Sequence, residues 1–305
     1  MSAVRIASLL PSATELLFAI GAGDDVVGVT HECDHPAAAR RLPVLTGNLL
    51  DHVGQPSAAV DRHIRAALHQ GSGLYALDEE RLFGLRPDLI VTQELCTVCA
   101  VAYTEVDRAA RRLGADVPVL SLEPRSLDDI CATALALGRA TGHGGGADAL
   151  VSAMRGRIAA VEGRRPPDPR SGVVCIEWTD PIMAGGHWVP EMVRRAGGHD
   201  LCGHEGEPSH TITWEEVVVA APDVMVLMPC GHGLERTLEL ATEVTERPGF
   251  ASLPCASTGR VAAVDGSAYF NRPGPRIVDG LEILAAILRS EPPARLPDGA
   301  AWVPC

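Results

Sequence analysis

Arg5-Ile6-Ala7-Ser8-Leu9-Leu10-Pro11-Ser12-Ala13-Thr14-Glu15 is the stretch on which the fold turns. Its apolar half has the length and character of a buried strand. It passes directly into Pro11 and two hydroxyl residues, of which Ser12 or Thr14 is the expected N-cap, with Glu15 near the first turn, where a carboxylate favours the helix dipole. The helix runs to Gly21 and stops at Gly21-Ala22-Gly23, a C-cap pattern. Val26-Val27-Gly28-Val29-Thr30 then reads as a second strand. A strand, a covering helix and another strand imply a parallel pair.

The same alternation extends outward. Helical patterns at 57–70 and 78–85 precede a strand at Leu89-Ile90-Val91-Thr92, a helix over about 100–113 and a strand at 117–122. From Ser126 the pattern is wholly helical to about Ala140. Gly142-His143-Gly144-Gly145-Gly146 is expected to break it, and a second helix runs from about Ala147 to Glu162. Strands at 172–178, 224–228 and 260–264 then alternate with helices at 189–196, 214–220, 233–246 and 275–290. Thr213 with Glu216 forms a capping-box pattern. The tail after Pro292 is expected to hold little structure. The expected fold class is therefore α/β: two Rossmann-like lobes with parallel sheets, bridged by a long α-helix, with a ligand cleft between them. The expected boundaries are 1–125, 126–169 for the linking helices, and 170–305.

Composition narrows the function. The chain has 305 residues, 46% hydrophobic and 21% charged, which is a globular composition. A net charge of −13 argues against a nucleic-acid backbone or an anionic membrane as partner. All 26 basic residues are arginine, from which no mechanism follows. No run approaches the ~20 apolar residues that a membrane span requires. Only four residues precede the first strand, so the chain as written is expected to be cytoplasmic, or extracellular or periplasmic if a signal has been trimmed. Nine cysteines in no disulfide-scaffold spacing suggest thiols or metal ligands. Cys131 and Cys175 fall in helix and strand patterns and are expected in the core.

Ligands of open α/β sheets bind beyond the carboxyl ends of the strands. There the sequence collects His31-Glu32-Cys33-Asp34-His35 after one strand and Gln93-Glu94-Leu95-Cys96-Thr97-Val98-Cys99 after another. Cys96-x-x-Cys99 can bring two sulfurs to one metal at about 2.3 Å. Cys33 and His35 in the same lobe, and Cys230 with His232 in the other, are the candidate further ligands, in a soft thiolate–imidazole set suited to zinc, an iron–sulfur cluster or cobalt. Packing as small apolar residues is the competing reading for Cys96 and Cys99. Trp178 and Asp180 end a strand, His187 and Trp188 follow Gly185-Gly186, where backbone can come close to a ligand, and His210 precedes the Thr213 cap. Tyr269, Asn271 and Arg272 follow the last strand. No nucleophile elbow, phosphate loop or zinc-protease helix occurs, so the chain is not expected to be an enzyme.

Ser8–Leu16, Val27-Gly28-Val29-Thr30 leading to Cys33-Asp34-His35-Pro36, Leu85–Ile90, Gly185-Gly186-His187, Ala196-Gly197-Gly198, Thr213–Glu216, Ala221-Pro222-Asp223 and Arg272–Arg276 stand in order along nearly the whole chain. In this order they resemble the helix-linked substrate-binding proteins of ABC importers for cobalamin, haem and iron-siderophores, most closely the cobalamin branch. The resemblance implies a corrinoid or other metal chelate in the interlobe cleft, an ABC permease as partner, and a ligand contact by Arg272. Cobalamin binders of this type line the cleft with aromatics; this chain, 4% aromatic, has Glu32 and Gln93 at two such positions. The expected function is a binding protein for a metal-containing cofactor, cobalamin or a related corrinoid first. A cytoplasmic Cys/His metal or iron–sulfur protein using the same cleft is the alternative.

Overall fold

Strand β1 (Ile6–Ser8) is wholly buried and sits inside a four-stranded parallel sheet. With β2 (Val26–Gly28), β3 (Thr46–Asn48), β4 (Tyr75–Leu77), β5 (Leu89–Thr92) and β6 (Val119–Ser121), the sheet order is β2-β1-β5-β6, while β3 and β4 pair antiparallel as a separate ribbon. The computed structural model describes residues 4–48, 54–69, 75–93, 103–113, 117–164 and 171–304. Ala7 and Ile90 of the sheet pack with Leu82, Val106, Ala109 and Ala110 from the helices Glu79–Leu85 and Tyr103–Leu113. Burial of this apolar face is the main force holding the layers together.

The first helix, Pro11–Ala19, starts one residue before Ser12 and three before Thr14, the two expected caps. Leu10 holds the N-cap position with no side-chain bond, and Pro11 opens the helix. Proline suits that place because its missing N–H would have had no partner there. Ser12 and Thr14 are instead buried within the first turn.

The chain divides into two compact units, the first made of residues 1–55, 62–124 and 128–153, the second of 56–61, 125–127 and 154–305. The helix Gly144–Glu162 runs through the last of these boundaries. The expected glycine break shrinks to Gly142 and His143, because Gly144–Gly146 form the first turn of that helix. A Cβ on Gly146 would lie 1.9 Å from the Ile20 carbonyl oxygen, so the run permits a close approach of helix to backbone.

The second unit contains β7 (Gly172–Thr179), β8 (Ile182–Ala184), β9 (His199–Asp200), β10 (His210–Thr211), β11 (Val224–Leu227), β12 (Val261–Val264) and β13 (Ala300–Trp302). Its sheet is mixed, where the sequence suggested a parallel one. The core β9, β7, β11 and β12 is parallel, but β8, β10 and β13 are antiparallel additions. These edge strands have two or three residues each, too few to carry a readable period. The proline-rich tail supplies β13, which the sequence reading missed. Leu296 and Val303 are buried, and Trp302 donates its indole N–H to the Ala294 carbonyl. Cys131 and Cys175 are core residues, as expected.

Candidate functional site

In the second sheet the carboxyl half of β7 lies between antiparallel β8 and parallel β11, with β9 pairing only with Gly172 and Val173. In the first sheet the chain leaves β1 toward neighbours on opposite sides, β2 and β5. Such a reversal of strand order opens a crevice at the carboxyl ends, where ligands of α/β sheets bind. The polar side chains of interest stand at these two ends, one in each unit.

At the end of β1 and β2, four side chains form a buried hydroxyl–thiol chain. Thr14 Oγ1 donates to Ser8 Oγ at 2.8 Å, and Cys33 Sγ lies 3.1 Å from Thr14 Oγ1 and 3.3 Å from Thr30 Oγ1. The Thr30–Cys33 turn holds the sulfur there through the Cys33 N–H to Thr30 carbonyl bond. Cys33 is 5% exposed. Glu32 is half-buried, with its carboxylate 3.5 Å from His31 Nε2, while His31 Nδ1 meets Thr46 Oγ1 at 2.7 Å. The His31 ring also tilts against Tyr75. His35 is exposed, and Gln93 is buried directly after β5. Glu94, Cys96 and Cys99 lie outside the described residues.

In the second unit, Glu177 near the end of β7 gathers three loops. Its carboxylate accepts from Ser209 Oγ at 2.5 Å, from the Gly186 N–H at 3.3 Å and from the Asn271 side chain. Burial pushes the Glu177 pKa up, and the three donors oppose that shift without cancelling it. The sequence reading expected backbone near Gly186 to approach a ligand. The structure fills that space with the chain itself, since a Cβ on Gly186 would lie 2.2 Å from the Ser209 nitrogen. His187 adopts a left-handed backbone (φ 51), held by its N–H to the Glu207 carbonyl at 2.6 Å and by its own carbonyl, which accepts from Gly206 N–H. A non-glycine residue in that region carries strain. Burial, with Arg125 nearby, keeps the imidazole pKa below its usual value.

Trp188 is 6% exposed and donates its indole N–H to the Phe270 carbonyl at 2.7 Å. Expected in the cleft wall, it is instead packed inside, where it pins the segment carrying Tyr269, Asn271 and Arg272. Tyr269 is half-buried with the Arg276 guanidinium 5.9 Å from its ring centroid, and Arg272 is half-buried. Trp178 stacks on His232 with ring centroids 5.7 Å apart and planes 24° apart, and its indole donates to the Asp180 carbonyl. Asp180 is exposed. Cys230 is half-buried and its N–H bonds the Glu177 carbonyl, so β11 delivers Cys230 and His232 to the same end as β7. Burial is the largest cause of the lowered His232 pKa. His210 stacks on His204 at 5.2 Å.

The structure thus groups Trp178, His187, Asn271 and His232 around the end of β7. Among the described residues no three His, Cys, Asp or Glu side chains are arranged to hold a metal ion. Ser209 and Arg125 carried no sequence signal, because tertiary contacts alone bring them to this end.

Known proteins resemble this chain over most of its length. The "Cobalamin-binding protein" of Halobacterium salinarum is 27% identical over 286 residues, covering 92% of this chain and 68% of the relative. The "Vitamin B12-binding protein" of Vibrio cholerae is 24% identical over 296 residues, covering 94% and 90%. The crystal structure of a periplasmic heme binding protein from Pseudomonas aeruginosa superposes with a TM-score of 0.69 at 23% identity, covering 99% and 98%, and so shares the fold. These comparisons lend no support to a cytoplasmic location. Among the described residues no helix is long and apolar enough to cross a membrane. Residues 6–268 match the family model described as periplasmic binding protein, and the chain belongs to that family, in its helix-linked, ABC-importer class.

Proposed function

We propose that this chain is the substrate-binding component of an ABC importer for a corrinoid, with cobalamin the first candidate, and that it works outside the cytoplasmic membrane with a permease partner. The observation that carries the reading is the Trp178–His232 stack beside Asp180 and Asn271, at the carboxyl ends of β7 and β11. A stacked indole and imidazole offer an apolar surface to a planar macrocycle. The exposed Asp180 carboxylate beside it suits the amide N–H groups around a corrin ring. The names of the relatives support the same ligand class. Within this proposal Glu32, Gln93, Glu94, Tyr269, His210 and Arg272 remain candidate contacts, and Trp188 acts by holding the 269–272 segment. Binding and release require no bond chemistry, so within this proposal the chain acts as a binding protein and not as an enzyme.

Visible spectra and metal analysis test this reading. Purified protein is incubated separately with cyanocobalamin, haemin and a ferric siderophore, then freed of unbound ligand by gel filtration. Retention of about one cobalt per chain with the corrinoid spectrum is the expected result. Retention of haemin or ferric siderophore alone would redirect the ligand assignment. Zinc, or iron with sulfide, in the purified protein and lost on Cys96→Ser with Cys99→Ser would instead favour a thiolate metal site that includes Cys96 and Cys99.

A further inference from the structure

The ladder around β7 weakens just before Trp178. Its register with β11 ends at Ile176, and its register with β8 shifts between Ile176 and Trp178. An irregularity of that kind re-aims the side chains beyond it. What grips the strand there is Thr179, wholly buried between half-buried Trp178 and exposed Asp180. The Thr179 hydroxyl donates to Glu243 Oε2 at 2.6 Å. That bond engages its one proton, so in the 2.6 Å contact between Ser57 Oγ and Thr179 Oγ1 it is buried Ser57 that donates. The Ser57 N–H closes the ring on Glu243 Oε1 at 3.3 Å. Arg247, two residues beyond the helix Thr242–Thr245, donates to the Thr179 carbonyl at 2.9 Å. Thr179 is therefore held by its side chain and by its carbonyl, and all four residues belong to the second unit.

We infer that Glu243 is a positioning residue for the ligand site: through Thr179 and Ser57 it fixes the end of β7 so that Trp178 and Asp180 hold one surface toward the ligand. Successive side chains of a strand point to opposite faces, so a grip on Thr179 from the inner face sets both of its neighbours at once. Two donors converge on the Glu243 carboxylate, one on each oxygen. A carboxamide at this position must turn its NH₂ toward one of them, so charge and shape are both needed here. The role requires no contact between Glu243 and the ligand. It rests on the corrinoid reading for the ligand that is served, and on the hydrogen bonds alone for the grip.

Two readouts test this: the dissociation constant for cyanocobalamin, and the ligand-free near-ultraviolet circular dichroism of Trp178, taken as the difference between each protein and its Trp178→Phe counterpart. Glu243→Gln and Thr179→Val should weaken binding about 3- to 10-fold, the scale of one hydrogen bond, and diminish the Trp178 signal. Thr179→Ser keeps the hydroxyl and should return both readouts to the wild-type level. In a Trp178→Ala background, Thr179→Val should change affinity by no more than about twofold, because the ring it positions is gone. Ligand-free melting curves establish that each variant is folded, and Ser57→Ala takes the place of Thr179→Val if that variant is not. Unchanged affinity or an unchanged Trp178 signal in Glu243→Gln would overturn the inference. So would a Thr179→Ser protein that behaves as Thr179→Val does, or equal weakening with and without Trp178, which a purely structural role would give. Wild-type protein that does not bind cyanocobalamin would overturn the corrinoid reading instead, and the Trp178 dichroism would still decide the role of Glu243.

Discussion

Glu177 experiences two opposing effects whose balance has a measurable sign. Burial disfavours its charge, three donors favour it, and burial prevails, so its folded-state pKa stands above the ordinary 4.5. The folded chain then holds this proton more tightly than the unfolded chain. Stability is therefore lost as pH rises from that ordinary value through the raised one. Glu177→Gln removes the titration, so the wild type should weaken relative to the variant as pH rises from below 4.5 to above it in urea midpoints. A wild type that gains on the variant over that range would show that the donors outweigh burial. Ser209→Ala, which removes the 2.5 Å bond, should cost about 1–2 kcal/mol in the same assay, with no cost if Glu177 is solvated instead. At this scale the sequence was partly legible. Trp178, Asn271 and His232 could be singled out because they stand at or beyond strand ends, whereas the burial of Trp188 and the reach of Ser209 to Glu177 depend on partners 82 and 32 residues away along the chain.

The linking helix Gly144–Glu162 shows how one residue type acts oppositely within a single element. Gly146 abuts the Ile20 carbonyl, while nothing stands within 4 Å of a Cβ built on exposed Gly156. Gly146→Ala should therefore destabilise by about 1–3 kcal/mol through overpacking. Gly156→Ala should stabilise by up to about 1 kcal/mol through helix propensity. Thermal or urea melts of the two variants check both, and shifts of the same sign would contradict the packing assigned to Gly146. The elements themselves were legible wherever local chemistry acts alone. Thr213 and Glu216 form the expected capping box around the start of Trp214–Ala220, because the four residues involved are contiguous. Ser12 and Thr14 failed as caps because Pro11 begins the helix earlier, and the Thr14 hydroxyl serves β1 and Cys33 instead. The short antiparallel strands β8, β10 and β13 were illegible for a different reason: pairing, not periodicity, makes them strands.

Over the whole chain, alternation of buried strands and covering helices persists long enough to reveal two α/β units and the family. The identity of the ligand is less legible, since it depends on a few side chains at strand ends and not on periodicity. Binding offers a test that engages the entire fold. A ligand that binds only the native state stabilises it by RT ln(1 + [L]/Kd), about 2.7 kcal/mol at a hundredfold excess over Kd. For a chain of 305 residues this corresponds to a rise in melting temperature of roughly 5 °C. The shift should appear with cyanocobalamin and grow with the logarithm of its concentration, because each tenfold step adds about 1.4 kcal/mol. A melting temperature indifferent to cyanocobalamin from micromolar to millimolar concentration would remove the corrinoid from consideration while leaving the family and fold untouched.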